Sequence, residues 1–436
     1  VVDRARRQVR NWLGNVRFQP EAVVQPASQS EVLELVKRAR RERLRLRVMG
    51  AGHSWSPLCE TDGLLLNLDR LDRLLSVDRE RLQVTVQAGM RLEQLIAALA
   101  PHGLAPSNLG SIAAQSLAGA ISTGTHGSGV SHGSLSTQVV ALRLVDGRGE
   151  VQVIGPDDAD RLDAARLSLG ALGVITEVTL QVTPAFSLRE ELFPLPFEEA
   201  VEGLDELARG ADHFKLWWFP HGRRVQVYRQ HRAGAQLGQQ QRGRFLAEDS
   251  PAAQVIFAGL LGAGVALPGL LPALHGFMDW MQFRAAERID VSHKIFNLAM
   301  PPRHHESEYA VPMAQAAPAL RALRARIQSE RHRVNFVSEV RFVAGDSGWL
   351  SPCHGGPVCF IGGYSAGERH WPRYLADYEA VMCAHGGRPH WGKEFCLEAS
   401  ALRPLYPRWD DFCALRRQLD PDGVFLNSML ERLFVT

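Results

Sequence analysis

Residues 48–55 read Val-Met-Gly-Ala-Gly-His-Ser-Trp, and residues 108–129 read Asn-Leu-Gly-Ser-Ile-Ala-Ala-Gln-Ser-Leu-Ala-Gly-Ala-Ile-Ser-Thr-Gly-Thr-His-Gly-Ser-Gly. Glycine has no Cβ, so consecutive N–H groups around Gly50, Ala51, Gly52 and Ser54 can point into one hollow and hold an anion. Gly110, Gly119, Gly124 and Gly127 offer the same freedom in the second stretch, where the hydroxyls of Ser111, Ser122 and Thr125 add donors. A diphosphate fits such a surface; the alternative is a pair of plain tight turns. Neither stretch is the dinucleotide fingerprint G-x-G-x-x-G, because Trp55 stands where the third glycine would be. A nicotinamide-type Rossmann site is therefore not indicated.

Around these stretches the chain alternates short apolar runs with amphipathic ones, the pattern of mixed α and β structure. Residues 31–43 carry Val32, Leu35, Val36 and Ala39 at helical spacing behind the cap candidates Ser28 and Ser30. Residues 46–50, 64–68 and 82–89 read as strands, and residues 91–99 as a second helix. Residues 139–147 followed by Val-Gln-Val-Ile-Gly predict a hairpin, and residues 172–182 a long strand ending before Pro184. After Pro184 come an aromatic strand pair (216–230), a Gln/Gly/Arg-rich loop (233–244), and Val255–Met278, which has no charged side chain. That last stretch is long enough to cross a bilayer, at about 20 residues per helical span, but Pro268, Pro272 and the glycines at 259, 262, 264 and 269 break it. Buried helices, shallow membrane docking and a true span all remain open.

The 436 residues, 45% hydrophobic and 22% charged, suit a globular chain of two or three domains. A net charge of +2 is too even for a nucleic-acid protein. Six cysteines without a C-x-x-C pair indicate neither zinc nor a disulfide scaffold. With no export signal read in the opening residues, the expected compartment is cytoplasmic, with membrane association through Val255–Met278 left open. Residues 387–393 have P-loop spacing, but Glu394 replaces the Ser or Thr that would hold magnesium, and Pro389 removes a donor. His53 could be a metal ligand, a base, a nucleophile or a structural residue. No partners at ligand spacing surround it, and His304-His305-Glu306 falls in an apparent loop far along the chain, so no metal is expected.

The blocks VMGAGHSWS, VTVQAGMRLEQL, HGLAPSNLGSI, LAGAISTGTHGSGVSHG, LGALGVITEVTL, LWWFPH, SHKIF, EVRF, GGRPHWGKEF and LDPDGVFLNSMLE occur in an order that resembles the aldonolactone oxidoreductases of the vanillyl-alcohol-oxidase flavoprotein family. The resemblance covers nearly the whole chain. It implies an α+β, two-domain flavoprotein. A PCMH-type FAD-binding domain of two small α/β subdomains would span residues 1–184. A substrate-binding cap, an antiparallel sheet flanked by helices, would span 185–387, and residues 388–436 would return to the flavin. The glycine-rich stretches become the pyrophosphate clamp, Val174 and Ile175 fall at the adenine end, and His53, with Trp55 following, matches the histidine that bonds covalently to the flavin ring.

The same resemblance implies hydride transfer from an alcohol carbon to flavin N5, in which the protein positions substrate and stabilises charge. Glu339 and Arg341 stand two apart on an apparent strand, hence on one face and about 7 Å apart along it. They are either a surface ion pair or a carboxylate and guanidinium that grip a polyhydroxylated ring. The matching pair in the family touches substrate. Lys393, one of only four lysines, matches the lysine beside the N1–C2=O edge, and His390 opens its motif near cofactor or substrate. Gly110 matches a position where alanine in dehydrogenases obstructs oxygen, and Ser111 is placed at the substrate. These matches imply an FAD oxidase that converts a sugar 1,4-lactone, L-gulono-1,4-lactone first, with oxygen to a 2-keto product and hydrogen peroxide; the alternatives are an alditol or other aldonolactone oxidase, or a dehydrogenase that passes electrons to a cytochrome or quinone.

Overall fold

The computed structural model describes residues 2–3, 8–234, 240–242 and 251–435. Its first part holds two sheets. In the smaller one, Ala22–Val24, Leu64–Leu66 and Leu46–Val48 run parallel, with Val2–Asp3 antiparallel at the edge. All six side chains of Leu64–Leu66 and of Ala22, Val24 and Leu46 are buried, as expected for strands covered on both faces. The helix Gln29–Glu42 packs Val32, Val36 and Ala39 against this sheet. The Ser28 side chain accepts from the Glu31 N–H at its start, and Arg43 closes it with φ of 54°.

The second sheet is antiparallel, in the order Val151–Ile154, Val139–Val145, Val174–Gln181, Gln83–Gln87, Leu74–Asp78. The hairpin and the long strand read from the sequence are both in it. Leu117–Thr123 is a short helix on the second glycine-rich stretch, ended by Gly124 at φ 78°.

From Ser187 onward the chain builds a larger antiparallel sheet. Among the described residues it has nine strands, in the order Gln240–Arg242, Ala286–Val291, Ser187–Pro196, Arg224–Ala233, His213–Trp218, Ser338–Val343, Val358–Ser365, His305–Pro312, Arg388–Pro389. Strand alternation decides what each face carries. Leu216, Trp218, Val340, Phe342, Tyr309 and Val311 face the helices Phe197–Glu202, Ala316–Ser329 and Trp371–Ala384 and form one core with them. Their neighbours Lys215, Trp217, Glu339, Arg341, Glu306 and Glu308 alternate to the opposite face.

Residues 399–434 form helices that join the core of the first part, where Tyr406, Trp409, Phe412, Leu430 and Phe434 pack with Leu142, Leu167 and Leu172. The buried Arg47 ties the ends together, donating to the carbonyls of Leu58, Leu169, Gly170 and Phe425.

Three expectations are corrected. His305–Glu306 is not in a loop but opens the buried strand His305–Pro312. Residues 233–244 are not one loop: Ala233 ends a strand and Gln240–Arg242 is another, while 235–239 and 243–244 lie outside the described residues. The apolar stretch is not a straight span; it forms helices packed on the cap, where Leu261 and Met278 are buried against Phe336, Tyr364, Phe219 and Phe283. Pro251–Ala266 and Leu271–Gln282 are two helices, with a bend of 113° between them, and most of their apolar side chains are exposed.

Candidate functional site

Strand Leu46–Val48 delivers the first glycine-rich stretch into a cleft of about 120 Å³, and the helix Leu117–Thr123 brings the second to its other wall. Gly50, Ala51, Gly52, His53 and Ser54 line one side; Ser116, Gly119, Ser122 and Thr123 line the other. The two stretches therefore share a single hollow. Glycine is required where they meet: a Cβ on Gly50 would sit 1.9 Å from Ser116 Oγ, and Gly52 has φ of +69°. Arg47, Gly170, Gly173, Ile175 and Phe425 complete the lining. Burial pulls the Arg47 guanidinium down to about 10, and its charge is spent on carbonyls rather than on a carboxylate. Of the expected adenine contacts, Ile175 lines this hollow, whereas Val174 points into the core beside Val145. Gly124 and Gly127 do not line it either. Gly124 ends its helix, and a Cβ on Gly127 would strike Asn108 Oδ1 at 2.2 Å, so both serve packing.

His53, Ser54, Gln115 and Thr123 also line a second cavity of about 330 Å³, so the hollow continues into it. Its walls include Trp55, Gly110, Ser111, Thr125, His126, Glu339, Arg341, His390 and Lys393, residues drawn from five separate parts of the chain. The HWGK motif is bonded to the first glycine-rich stretch: Trp55 N–H donates to Gly392 O at 2.7 Å, and Ser56 Oγ–H to Trp391 O at 2.7 Å. Burial, then Lys393 and Arg91, lower the His53 imidazole to about 4. It is neutral at pH 7, with a lone pair available for bonding.

Glu339 and Arg341 are a buried pair in direct contact. Trp217 Nε1–H donates to Glu339 at 2.9 Å and Lys215 Nζ lies 3.5 Å from it. The register places Trp217 opposite Glu339 and Lys215 opposite Arg341. Burial pushes the Glu339 carboxyl up, but Arg341 and Lys215 overcome this and hold it below the usual range. Arg341 also donates to Ser111 Oγ at 2.6 Å and to His126 O at 3.4 Å. The Gly110-Ser111 turn is tied to the later part of the chain by Asn297, which donates to Gly110 O at 2.9 Å, while Leu298 N–H donates to Ser111 O.

Sequence reasoning missed the carboxylates of His305–Pro312, the strand two places along the sheet from Ser338–Val343, beyond Val358–Ser365. Glu306 lies 2.5 Å from Lys393 Nζ, which also sits 4.1 Å above the Trp55 ring. Glu308 faces His126 at 3.5 Å. Burial raises both carboxyls, and the groups beside them, Lys393 for Glu306 and His126 for Glu308, bring both below the ordinary value. His126, Glu308 and His390 are mutually within ligand distance, but they form a hydrogen-bonded set. His126 Nδ1 is engaged with Gly127 O, His390 Nδ1 accepts from Gly392 N–H, and Arg341 and Lys393 already act on Glu308. Lys215, Glu306 and Glu308 carried a faint signal: a lysine in a chain with four, and carboxylates at i, i+2 in a buried strand.

The arrangement is a backbone cradle for a diphosphate, leading to a cavity with a neutral histidine at its neck and the Glu339–Arg341 and Glu306–Lys393 ion pairs around it. A flavin nucleotide fits that order of parts. A family model described as FAD binding domain matches residues 20–155, and one described as D-arabinono-1,4-lactone oxidase matches residues 178–433. The chain is 36% identical over 434 residues to L-gulonolactone oxidase of Mus musculus, covering 98% of each chain. It is 35% identical over 427 residues to L-gulono-1,4-lactone dehydrogenase of Mycobacterium tuberculosis, covering 97% of this chain and 98% of the other. It is 34% identical over 445 residues to alditol oxidase of a Streptomyces species, covering 98% of each. Among solved structures, cholesterol oxidase of Brevibacterium sterolicum superimposes with a TM-score of 0.85 over 100% of this chain and 97% of that one, at 18% identity, a likeness of fold alone. The cofactor is FAD.

Proposed function

Because the chain belongs to the aldonolactone oxidase family of FAD-dependent oxidoreductases, which use oxygen as acceptor, we propose that its substrate is L-gulono-1,4-lactone, oxidised at C2 to a keto-lactone that tautomerises to ascorbate. The observation that carries this reading is the junction of His53, the Glu339–Arg341 pair with Ser111, and the Lys393–Glu306 pair in one cavity.

Bound FAD supplies the hydride acceptor. The protein's part is to position and to balance charge. Arg341, held by Glu339 and Ser111, presents a planar donor fork to the substrate oxygen and steadies the negative charge that develops there. Glu339, fixed by Trp217 and Lys215, accepts from a neighbouring ring hydroxyl. Lys393, kept in place by Trp55 and Glu306, would supply a compact positive charge to the bound ring system. His53, neutral and at the neck between cradle and cavity, is the point of covalent attachment. Gly110 leaves out the methyl group that would narrow oxygen's approach.

The test is a panel of L-gulono-1,4-lactone, D-arabinono-1,4-lactone and C5–C6 alditols under air, with oxygen uptake, peroxide and chromatographic detection of ascorbate. The proposal expects the highest kcat/KM with L-gulono-1,4-lactone and one peroxide per ascorbate. Preference for an alditol, or substrate oxidation without peroxide, overturns it.

A further inference from the structure

Strand Val358–Ser365 sends alternate residues to opposite faces of the cap sheet. Cys359 and Ile361 belong to the core, and a Cβ on Gly363 would meet Tyr378 of that core at 3.0 Å. Phe360, Gly362 and Tyr364 therefore face the cavity, where Phe360 stacks on His126 with ring centroids 3.7 Å apart. Gly362 is the gap in this row. A Cβ there would sit 2.3 Å from Tyr364 Cε2 and 2.5 Å from Tyr364 Oη, so the phenol leans back along the strand and fills the place of the missing side chain. Glu308 pairs with Gly362 on one side, and on the other the register that sets Val340 against Ile361 carries Glu339 beside it. The hydroxyl thus lies over the floor between two carboxylates. Phe360, the partner of Arg341, is two residues back, about 7 Å along the strand.

The ring is held from both sides. It stacks on Phe336 at 5.7 Å and lies 5.6 Å from the His304 ring. Asn335 makes two hydrogen bonds of 2.8 Å with Ala366, tying the segment that carries Phe336 to the end of this strand. In the core, Tyr309 and Tyr378 donate to Glu379 and to the Ile361 carbonyl. Among the described residues the Tyr364 hydroxyl has no such partner, and its side chain lines the cavity. Burial, then Glu306, Glu339 and Glu308, hold the phenol well above its ordinary value against the pull of Arg341. It is a protonated donor at neutral pH.

We propose that Tyr364 sets substrate specificity by donating to the oxygen of a substrate hydroxyl at a carbon other than the one oxidised. The wall is built to need such a group. Glu308 and Glu339 only accept, so a sugar hydroxyl that gives its hydrogen to one of them keeps two lone pairs, and the phenol supplies a donor for one. A substrate lacking that hydroxyl leaves both groups unpaired in a buried site, which is how a pocket rejects a deoxy analogue most strongly. The inference rests on the reading that the Glu339–Arg341 pair holds the substrate, but not on which lactone or alditol it is.

The experiment compares wild type and Tyr364→Phe on L-gulono-1,4-lactone and on its 3-, 5- and 6-deoxy analogues. Loss of the contact is expected to raise KM for the parent lactone about tenfold, with a smaller change in kcat. One of the three analogues should be a poor substrate that both enzymes handle alike, because the contact is already gone. Should Tyr364→Phe fold poorly, Gly362→Ala serves instead: its methyl displaces the ring and should reproduce the pattern with the hydroxyl retained. A wild-type KM for the parent lactone overturns the proposal. So does an equal loss on the parent and all three analogues, which would assign Tyr364 to packing. If the substrate panel selects an alditol, the same comparison runs on the deoxy series of that alditol, so the two readings fail separately.

Discussion

Replacing Glu339 by glutamine keeps the side chain's shape and removes its charge, leaving Arg341 and Lys215 together in a buried site. At 3.5 Å and an effective dielectric of about 20, the Lys215–Glu339 attraction alone is about 5 kcal/mol before desolvation is subtracted. Breaking a buried pair from one side typically costs about 3–5 kcal/mol. If about 3 kcal/mol of that falls on the geometry of Arg341 in the transition state, flavin reduction slows by roughly 10²-fold, at 1.36 kcal/mol per decade. The assay is anaerobic stopped flow, following flavin bleaching against lactone concentration and pH. The limiting rate should fall, and KM should change much less. Glu339 is held below the ordinary carboxylate range by Arg341 and Lys215 against its burial. Its anion is therefore present above that depressed value and lost only as pH falls through it. Wild type should keep its rate through pH 5 and show an acid limb below the usual glutamate range; the glutamine variant should lack that limb. A variant with the wild-type limiting rate, or with a change in KM alone, would refute the assignment of Glu339 to positioning Arg341.

Three further outcomes are expected. Acid precipitation should leave the yellow colour in the wild-type pellet and release it to the supernatant in His53→Ala; colour in the wild-type supernatant ends the covalent assignment. In Gly110→Ala the new methyl meets Thr125 Cγ2 at 3.1 Å and His126 O at 3.2 Å, close enough to need a small shift but not a refold. Oxygen turnover should drop about tenfold or more, a barrier change of roughly 1.4 kcal/mol, with dye reduction within about twofold; equal effects on both acceptors remove the gating role. Burial lowers His213 and His275 to about 3 and His221 to about 4. The unfolded chain therefore binds more protons than the folded one between those values and about 6.5, and stability should rise with pH across that window. Calorimetry should give a lower melting temperature at pH 5 than at pH 7, and a flat profile contradicts the buried-neutral assignment.

The first part of the fold was legible because its signals are local. Ser28 caps its helix, the strand before Pro184 alternates, and the glycines stand where backbones meet. The pairing of the two glycine-rich stretches came from the family resemblance, since each stretch alone reads equally well as a tight turn. The cap was less readable. His305–Pro312 looked like a loop because His-His-Glu-Ser-Glu has no apolar alternation; its apolar partners begin only at Tyr309, and the polar face is buried because it lines a site. Lys215 and Glu306 could be assigned only from strand order, since the strand of Lys215 lies beside that of Arg341 through a register invisible in either segment. Val174 failed for a simpler reason: adjacent residues of a strand face opposite ways, so Val174 and Ile175 could not both line one hollow.

The cavity wall sets three carboxylates, Glu306, Glu308 and Glu339, against Arg341 and Lys393, with Lys215 behind them. Burial raises all three carboxyls, yet each ends below its ordinary value because of the group placed against it, Lys393 for Glu306, His126 for Glu308 and Arg341 for Glu339. Such a wall is close to neutral, and electrons entering the bound flavin add the uncompensated charge. The Lys393–Glu306 pair then has a measurable polarity. Lys393→Met leaves Glu306 without its cation and should lower the flavin midpoint potential; Glu306→Gln frees the charge of Lys393 and should raise it. Shifts of about 30 mV or more are expected, corresponding to ~1.4 kcal/mol for a two-electron couple. The double variant should return toward wild type, since it removes a neutral pair. Potentials measured by dye equilibration decide the matter without turnover. Two single variants that move the potential in the same direction would mean that Lys393 holds Glu306 for structure and does not act on the flavin.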